Sequence, residues 1–333
     1  MEFTKNSTCD SIIYHMYMIK GVDSMKKQTK LFATGLALTM SVSSIMSVHA
    51  IETDYIDEKW GKPTVVYGGG LNDAQIQQTQ ALFNITNTEN VYEMRVDSND
   101  LQTYLGYPGD TGSLISSVLV KKTGENGVVV NILTPENILN ITEDQYANAA
   151  ITAGVTDCEI EVACISQATG ESALTGVYKA LEANGETVDP ERTQIAQEEL
   201  EVTNGIANEL EQSCDVSSEE ITQAMIDIKK ELAELKEQNN GSLSAEQIEQ
   251  LVRDVLQKYG IQDLLSEENI QALIAFAKKY ANSDAINSEE VLKQLNELSK
   301  TFPKEIQNIY QQAKDSGFFE KIIQWVKDFI NSL

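Results

Sequence analysis

The sequence predicts an α/β domain, a mixed sheet with packed helices, followed by an all-α helical bundle domain, and three observations carry that prediction. From Pro63 to about Ala183 short β-rich runs alternate with helical runs. After Asp189-Pro190 no β-rich run remains, glycine is rare, and Glu, Gln, Lys, Leu and Ile dominate. Across both parts the helix starts share one device, a Ser, Thr or Asn cap preceded by an apolar residue that can staple to another five positions later.

In chain order, strands are expected at Thr64 to Tyr67, Val91 to Val96, Leu114 to Lys121, Gly127 to Leu133 and Cys158 to Ile165. The third and fourth read as a hairpin through Thr123-Gly124-Glu125-Asn126-Gly127, whose Asn-Gly supplies the positive φ of a tight reversal. Helices are expected after the first strand (Asp73 to Phe83), before the fifth (Glu143 to Ala153) and after it (Glu171 to Ala183). Asn72 and Thr142 are the caps of the first two, with Gln75 and Gln145 at the capping-box position. In the second part Val216-Ser217 leads to Ile221, Leu243-Ser244 to Ile248, Leu265-Ser266 to Ile270 and Ile286-Asn287 to Val291. Helices of roughly 12 to 20 residues joined by short turns follow, and an up-and-down bundle is preferred because beyond the caps the segments do not resemble one another.

The chain's 333 residues carry 25 basic and 51 acidic side chains, a net charge of −26. Lys26, Lys27 and Lys30 precede an apolar stretch from Leu31 to Val48 and the small-residue site Val48-His49-Ala50, the pattern of a secretory signal peptide. The expected division is an upstream extension at 1–24, a signal peptide at 25–50, the α/β domain at 51–189 and the helical domain at 190–333. Cleavage after Ala50 removes five basic and three acidic residues and leaves 20 basic and 48 acidic ones. Such a chain repels nucleic acid and anionic lipid.

Both histidines, His15 and His49, lie in the leader. A mature chain without them has no Ser-His-Asp or Cys-His nucleophile pair and no histidine metal ligand. Carboxylate, lysine or hydroxyl chemistry survives, and no cofactor is implied. Three cysteines remain, Cys158, Cys164 and Cys214. Six residues of strand put the first two about 20 Å apart, beyond the roughly 7 Å that a disulfide allows between Cα atoms. Cys214 could pair with either, and three unpaired thiols is the plainer reading.

Four blocks carry a resemblance: Tyr67-Gly68-Gly69-Gly70-Leu71-Asn72; Thr134-Pro135-Glu136-Asn137-Ile138; Ile141 through Asp144-Gln145-Tyr146 to Ala150-Ile151-Thr152-Ala153-Gly154-Val155; and Thr169-Gly170-Glu171-Ser172 through Lys179-Ala180. Together they resemble the YpuA-like family of exported Gram-positive bacterial proteins, a domain of unknown function (1002). The resemblance implies export and a common fold, and it supplies no activity. Cys158 and Cys164 depart from the small or polar residues expected there, so a role built on these thiols would not extend to the family.

Two glycine-bearing loops are the candidate ligand site: Gly68, Gly69, Gly70 and Asn72 after the first strand, and Thr169, Gly170, Glu171 and Ser172 after the fifth. If both strands are parallel, both loops lie at one sheet edge, where helix N-termini can hold a small anion or carbonyl group. The plainer reading is a pair of tight turns with Asn72 as a cap, since neither G-x-G-x-x-G nor a Gly-Lys-Ser/Thr loop is present. Ser172 and Lys179 share a helix face but stand about 10 Å apart along it, too far for a Ser-Lys pair. Asp97-Ser98-Asn99-Asp100 reads as a helix cap. The last helix, Phe318 to Leu333, carries an apolar stripe including Phe318, Phe319, Ile322 and Phe329, with Trp325 on the same segment. At about 24 Å it is too short for a ~30 Å hydrocarbon layer, so it packs in the bundle or forms a membrane or partner surface.

The function expected is a non-enzymatic binding or cell-envelope-associated module, partnered by a protein or an envelope component. The competing class is a histidine-free hydrolase using carboxylates at the loop edge. A deep cleft with two inward carboxylates would favour the hydrolase, and a shallow capped surface the binding module.

Overall fold

The computed structural model describes residues 60–124, 127–170, 172–211, 216–304 and 306–307. The expected leader, Glu171, Cys214 and the final helix from Phe318 to Leu333 lie outside the described residues. Five strands, β1 (Thr64–Gly68), β2 (Tyr92–Val96), β3 (Ser116–Lys122), β4 (Val128–Ile132) and β5 (Cys158–Cys164), form one mixed sheet in the order β2-β1-β3-β5-β4. β1 runs parallel to β2, and β4 parallel to β5. β3 lies between the two pairs, antiparallel to both β1 and β5.

The hairpin expected between β3 and β4 is not formed, because β5 lies between them. The turn that reads as a tight reversal instead wraps the entry to β5: Thr123 N–H donates to Asp157 O (2.7 Å), Cys158 N–H to Gly127 O (3.0 Å), and Gly127 N–H to the Asp157 carboxylate (3.2 Å). Its positive φ at Gly124 and Gly127 turns the chain across two strand spacings, about 10 Å, rather than one.

Four helices accompany the sheet: α1 (Asp73–Leu82), α2 (Ser98–Leu105), α3 (Glu143–Ala153) and α4 (Ser172–Ala183). Capping boxes open the first three, Asn72 with Gln75, Asp97 with Asp100 and Thr142 with Gln145, so each start is written in its first four residues. One sheet face, including Val66, Val118, Ile160 and Val162, packs against Ala147 and Ile151 of α3 and Leu174 and Val177 of α4. The other face, with Val65, Tyr67, Leu119 and Ala163, is covered by Leu71, Phe83 and Ile85 at the ends of α1. Cys158 and Cys164 stand at opposite ends of β5 as buried thiols.

Most of the helical content follows the sheet: α5 (Pro190–Glu211), α6 (Ser218–Gln238), α7 (Ala245–Lys258), α8 (Glu267–Asn282) and α9 (Glu289–Ser299). Ser217, Ser244 and Ser266 cap α6, α7 and α8. The cap of α9 is Ser288 rather than Asn287. A 3-10 turn, Asp284–Asn287, absorbs Asn287 and leaves Ser288 as the residue whose hydroxyl meets Val291 N–H. α5 is a wall common to two cores. Ala196 and Leu200 join the sheet-side core, together with Ile226 of α6 and Val291, Leu295 and Leu298 of α9. Ile206 and Leu210 join a second core with Ile228, Leu232, Val252, Val255 and Phe276. Among the described residues no helix is long and apolar enough to cross a membrane.

Candidate functional site

Because β1 and β5 are each antiparallel to β3, they run in the same direction. Both glycine loops therefore leave the same end of the sheet, separated by the start of β3. Ser116 and Ser117 fill that separation: Ser117 Oγ accepts from Gly68 N–H (3.1 Å), and the Ser172 hydroxyl donates to Ser116 Oγ (3.4 Å). The structure thus joins Gly68 and Ser172 through β3.

The loop over residues 68–72 is closed by protein backbone. A Cβ on Gly68 would lie 2.3 Å from Leu114 O, on Gly69 2.2 Å from Val96 O, and on Gly70 2.3 Å from Gly112 O. These are distances no side chain tolerates, so Gly68 and Gly70 are required by the approach of the segment before β3 and Gly69 by the end of β2. The amides on either side of Gly69 are committed as well. Gly70 N–H donates to Leu114 O (2.9 Å) and Leu71 N–H to Gly68 O (3.2 Å), while Asn72 exchanges capping bonds with Gln75.

On the second loop Thr169 is exposed and Gly170 is buried at φ +97°. The Tyr146 hydroxyl donates to Gly170 O (2.5 Å) and occupies the space a side chain at 170 would need, 2.4 Å from the ideal Cβ. Lys179 turns away from Ser172 and pairs with Asp100 Oδ2 at 2.6 Å. Asp97 and Asp100 are spent on the cap of α2. Among the described residues no group of three or more His, Cys, Asp or Glu side chains could hold a metal ion.

Beside the first loop, on the α1 side of the sheet, lies an open groove of about 520 Å³ lined by Tyr67, Asp73, Gln80, Glu93, Met94 and Arg95. Its polar groups satisfy one another. The Tyr67 hydroxyl (2.8 Å) and Gln80 Nε2 (2.9 Å) donate to Glu93 Oε1, and Arg95 donates to Leu71 O (2.8 Å). Burial, with the Glu93 charge, pushes the Tyr67 phenol well above its usual range, so it stays a donor.

Two buried polar networks were not anticipated. Lys229 of α6 spends its three ammonium protons on Glu199 Oε1 (2.7 Å), Asn148 Oδ1 (2.6 Å) and Thr152 Oγ1 (2.8 Å). Asn148 Nδ2 and the Thr152 hydroxyl in turn donate to the Glu199 carboxylate. The residues come from α3, α5 and α6, so the network pins the sheet-side layer to the later helices. Burial lowers the Lys229 ammonium and opposes the attraction of Glu199.

In the second network two acids of α6 share one lysine of α7: Lys258 lies 3.3 Å from Asp227 Oδ2 and 3.6 Å from Glu231 Oε1. Asp227 also accepts from Tyr259 (2.7 Å) and Gln223 (2.9 Å). Burial first, then the Asp227 charge, pushes the Glu231 carboxyl up to about 8. A sequence with so many acids offers no signal that selects Glu199, Asp227 or Glu231, because their pairing depends on helices that meet only in the fold.

Residues 67–298 match a family model described as "Protein of unknown function (DUF1002)". The chain is also 23% identical over 301 residues to a Bacillus subtilis (strain 168) protein described as "Uncharacterized protein YpuA", a match covering 88% of this chain and 96% of that one. No solved structure matches. With the family model running from the end of β1 through the glycine loop and the other four strands to α9, the chain belongs to the DUF1002 family.

Proposed function

We propose that this protein is exported through a cleaved signal peptide and acts as a non-enzymatic binding module of the cell envelope, its α/β part (51–189) and helical part (190–333) serving as two domains. The observation that carries the reading is the closure of the glycine-loop edge. The faces of Gly68, Gly69 and Gly70 are filled by backbone carbonyls and Gly170 by Tyr146, so the described backbone of both loops is capped. On the sequence alone, the stripe of Phe318, Phe319, Ile322, Trp325 and Phe329 is proposed as a second surface for a partner or membrane.

The test is N-terminal sequencing of the protein recovered separately from medium, wall and membrane fractions of an expressing Gram-positive host. The expected N-terminus is Ile51 or its neighbour, in the medium or the wall. Recovery only from membranes with Met25 or Met1 intact would overturn the export reading. A parallel truncation after Ser316 should lose vesicle or partner binding at unchanged melting temperature if the stripe is a surface, and should loosen the helical part if it packs in the core.

A further inference from the structure

β4 is an outer strand of the sheet, hydrogen-bonded on one side only. In a parallel ladder alternate residues bond the neighbouring strand. Gly127 O accepts from Cys158 N–H, and Leu133 N–H donates to Val162 O, so the odd-numbered residues face β5. The N–H and C=O groups of Val128 and Val130 therefore point outward, as does Ile132 N–H, which donates to Glu143 Oε1 at 2.7 Å. Among the described residues nothing pairs with Val130 on that side.

α9 forms a shelf beside this edge. Between Val128 and Val129 on one side and Glu290, Gln294, Glu297 and Leu298 on the other runs a groove of about 640 Å³. A separate hollow of about 420 Å³ lies at the far end of β4 and is lined by Ile132 and Leu139. Val129 in the groove and Leu139 in the hollow are 45% and 56% exposed, which is unusual for apolar side chains among the described residues. Gln294 is nine-tenths buried, donates through Nε2 to Val155 O (3.2 Å), and holds its Oε1 without a hydrogen-bond partner beside Gly127.

We propose that the β4 edge and the α9 shelf bind an extended, basic polypeptide segment as a sixth strand. The alternating outward donors and acceptors of Val128 and Val130 are answered together only by an extended backbone. Val129 and Leu139 supply apolar contact to alternate side chains of the segment. Charge selects a basic partner: Asp157, Glu290 and Glu297 line the groove, the two glutamates held by surface ion pairs to Lys293 (3.7 Å) and Lys300 (2.6 Å) that a bound cation can replace, on a chain whose net charge is −26. The same acidity opposes a second copy of this chain, since edge-to-edge pairing would bring the two acidic shelves together. The inference rests on the binding-module reading and names the partner class for it.

The test uses the protein from Ile51 to Leu333 and a short capped peptide alternating Val and Lys. Three comparison peptides accompany it: one N-methylated at alternate residues, one with Glu in place of Lys, and one with scrambled order and a central proline. At physiological salt the parent peptide should bind and slow hydrogen exchange at Val128 and Val130, while each comparison peptide binds about tenfold weaker or worse. The exposed charge reversals Glu290→Lys and Glu297→Lys together should reverse the preference between the Lys and Glu peptides. Val130→Pro, which removes an outward donor at an edge position, should weaken binding by about tenfold. Equal affinity for the N-methylated peptide, unchanged exchange at Val128 and Val130, or no binding at all would overturn the proposal. Such a failure with a processed N-terminus still found at Ile51 removes the edge site and leaves the export reading standing. A failure of processing leaves the peptide measurements intact.

Discussion

The ammonium of Lys229 lies 2.7 Å from Glu199 Oε1, and both side chains are withdrawn from solvent. Every proton of the ammonium has a partner, and both carboxylate oxygens accept, so the pair meets the condition under which buried charges persist. Removing one partner strands the other. Lys229→Met should cost about 3 to 5 kcal/mol, while Lys229→Met with Glu199→Leu should cost clearly less than the two single changes added. Urea denaturation of the three variants checks this, and additive losses would mean the pair is not coupled.

The Glu231 carboxyl predicts a pH slope of definite sign. Its folded value of about 8 lies above the ordinary 4.5, so between those values the folded chain holds a proton that the unfolded chain has released. Stability therefore falls as pH rises through that window, by up to about 1.4 kcal/mol per pH unit from this group. Asp144, pushed to about 6 by burial and then by Glu219 and Glu143, acts in the same sense. Wild type should be more stable at pH 5 than at pH 8, and Glu231→Gln should flatten the difference. An unchanged slope in that variant would show that the carboxyl is ionised in the folded state.

Substitutions at two glycines separate close approach from backbone conformation. Gly185 has φ +83° and nothing within 4 Å of its would-be Cβ, whereas Gly69 faces Val96 O at 2.2 Å. Gly185→Ala should cost about 1 to 2 kcal/mol from the left-handed conformation alone. Gly69→Ala must displace backbone and should cost about 3 kcal/mol or more. Thermal melts of both variants decide the order, and equal losses would mean that the loop before α1 is loosely held.

Burial raises the Cys164 thiol above its ordinary range, and Cys158 and Cys164 are both enclosed. Iodoacetamide at pH 8 should leave the two unmodified in the folded protein and label them in denaturant, as read by peptide mass mapping. Rapid labelling of Cys164 without denaturant would contradict its burial.

What the sequence revealed was local. Val65, Val118, Ile160 and their neighbours announce strands through β-branched runs, and Asn72, Thr142, Ser217 and Ser244 announce helix starts through bonds confined to four residues. α2 escaped as a full helix because it is eight residues long, with burial limited to Leu101, Tyr104 and Leu105. The β3–β4 turn misled because Gly127 has the same positive φ whether the chain returns beside its own strand or one place further out, and only the later strand β5 decides between them. At the loop edge, the shared sheet end followed from strand direction. The carbonyls of Leu114, Val96 and Gly112 that fill the glycine faces come from 27 to 46 positions further along the chain and left no local trace.

The place of β5 also orders assembly in time. A chain made from its N-terminus completes β3 and β4 before Cys158 exists, and the two must then wait with a one-strand gap between them. β5 closes that gap by bonding seven residues to β3 and five to β4. It is a keystone: a nascent chain halted before Cys158 can hold β1, β2 and β3 together but has no partner for β4, and the sheet becomes continuous only when its penultimate strand arrives last.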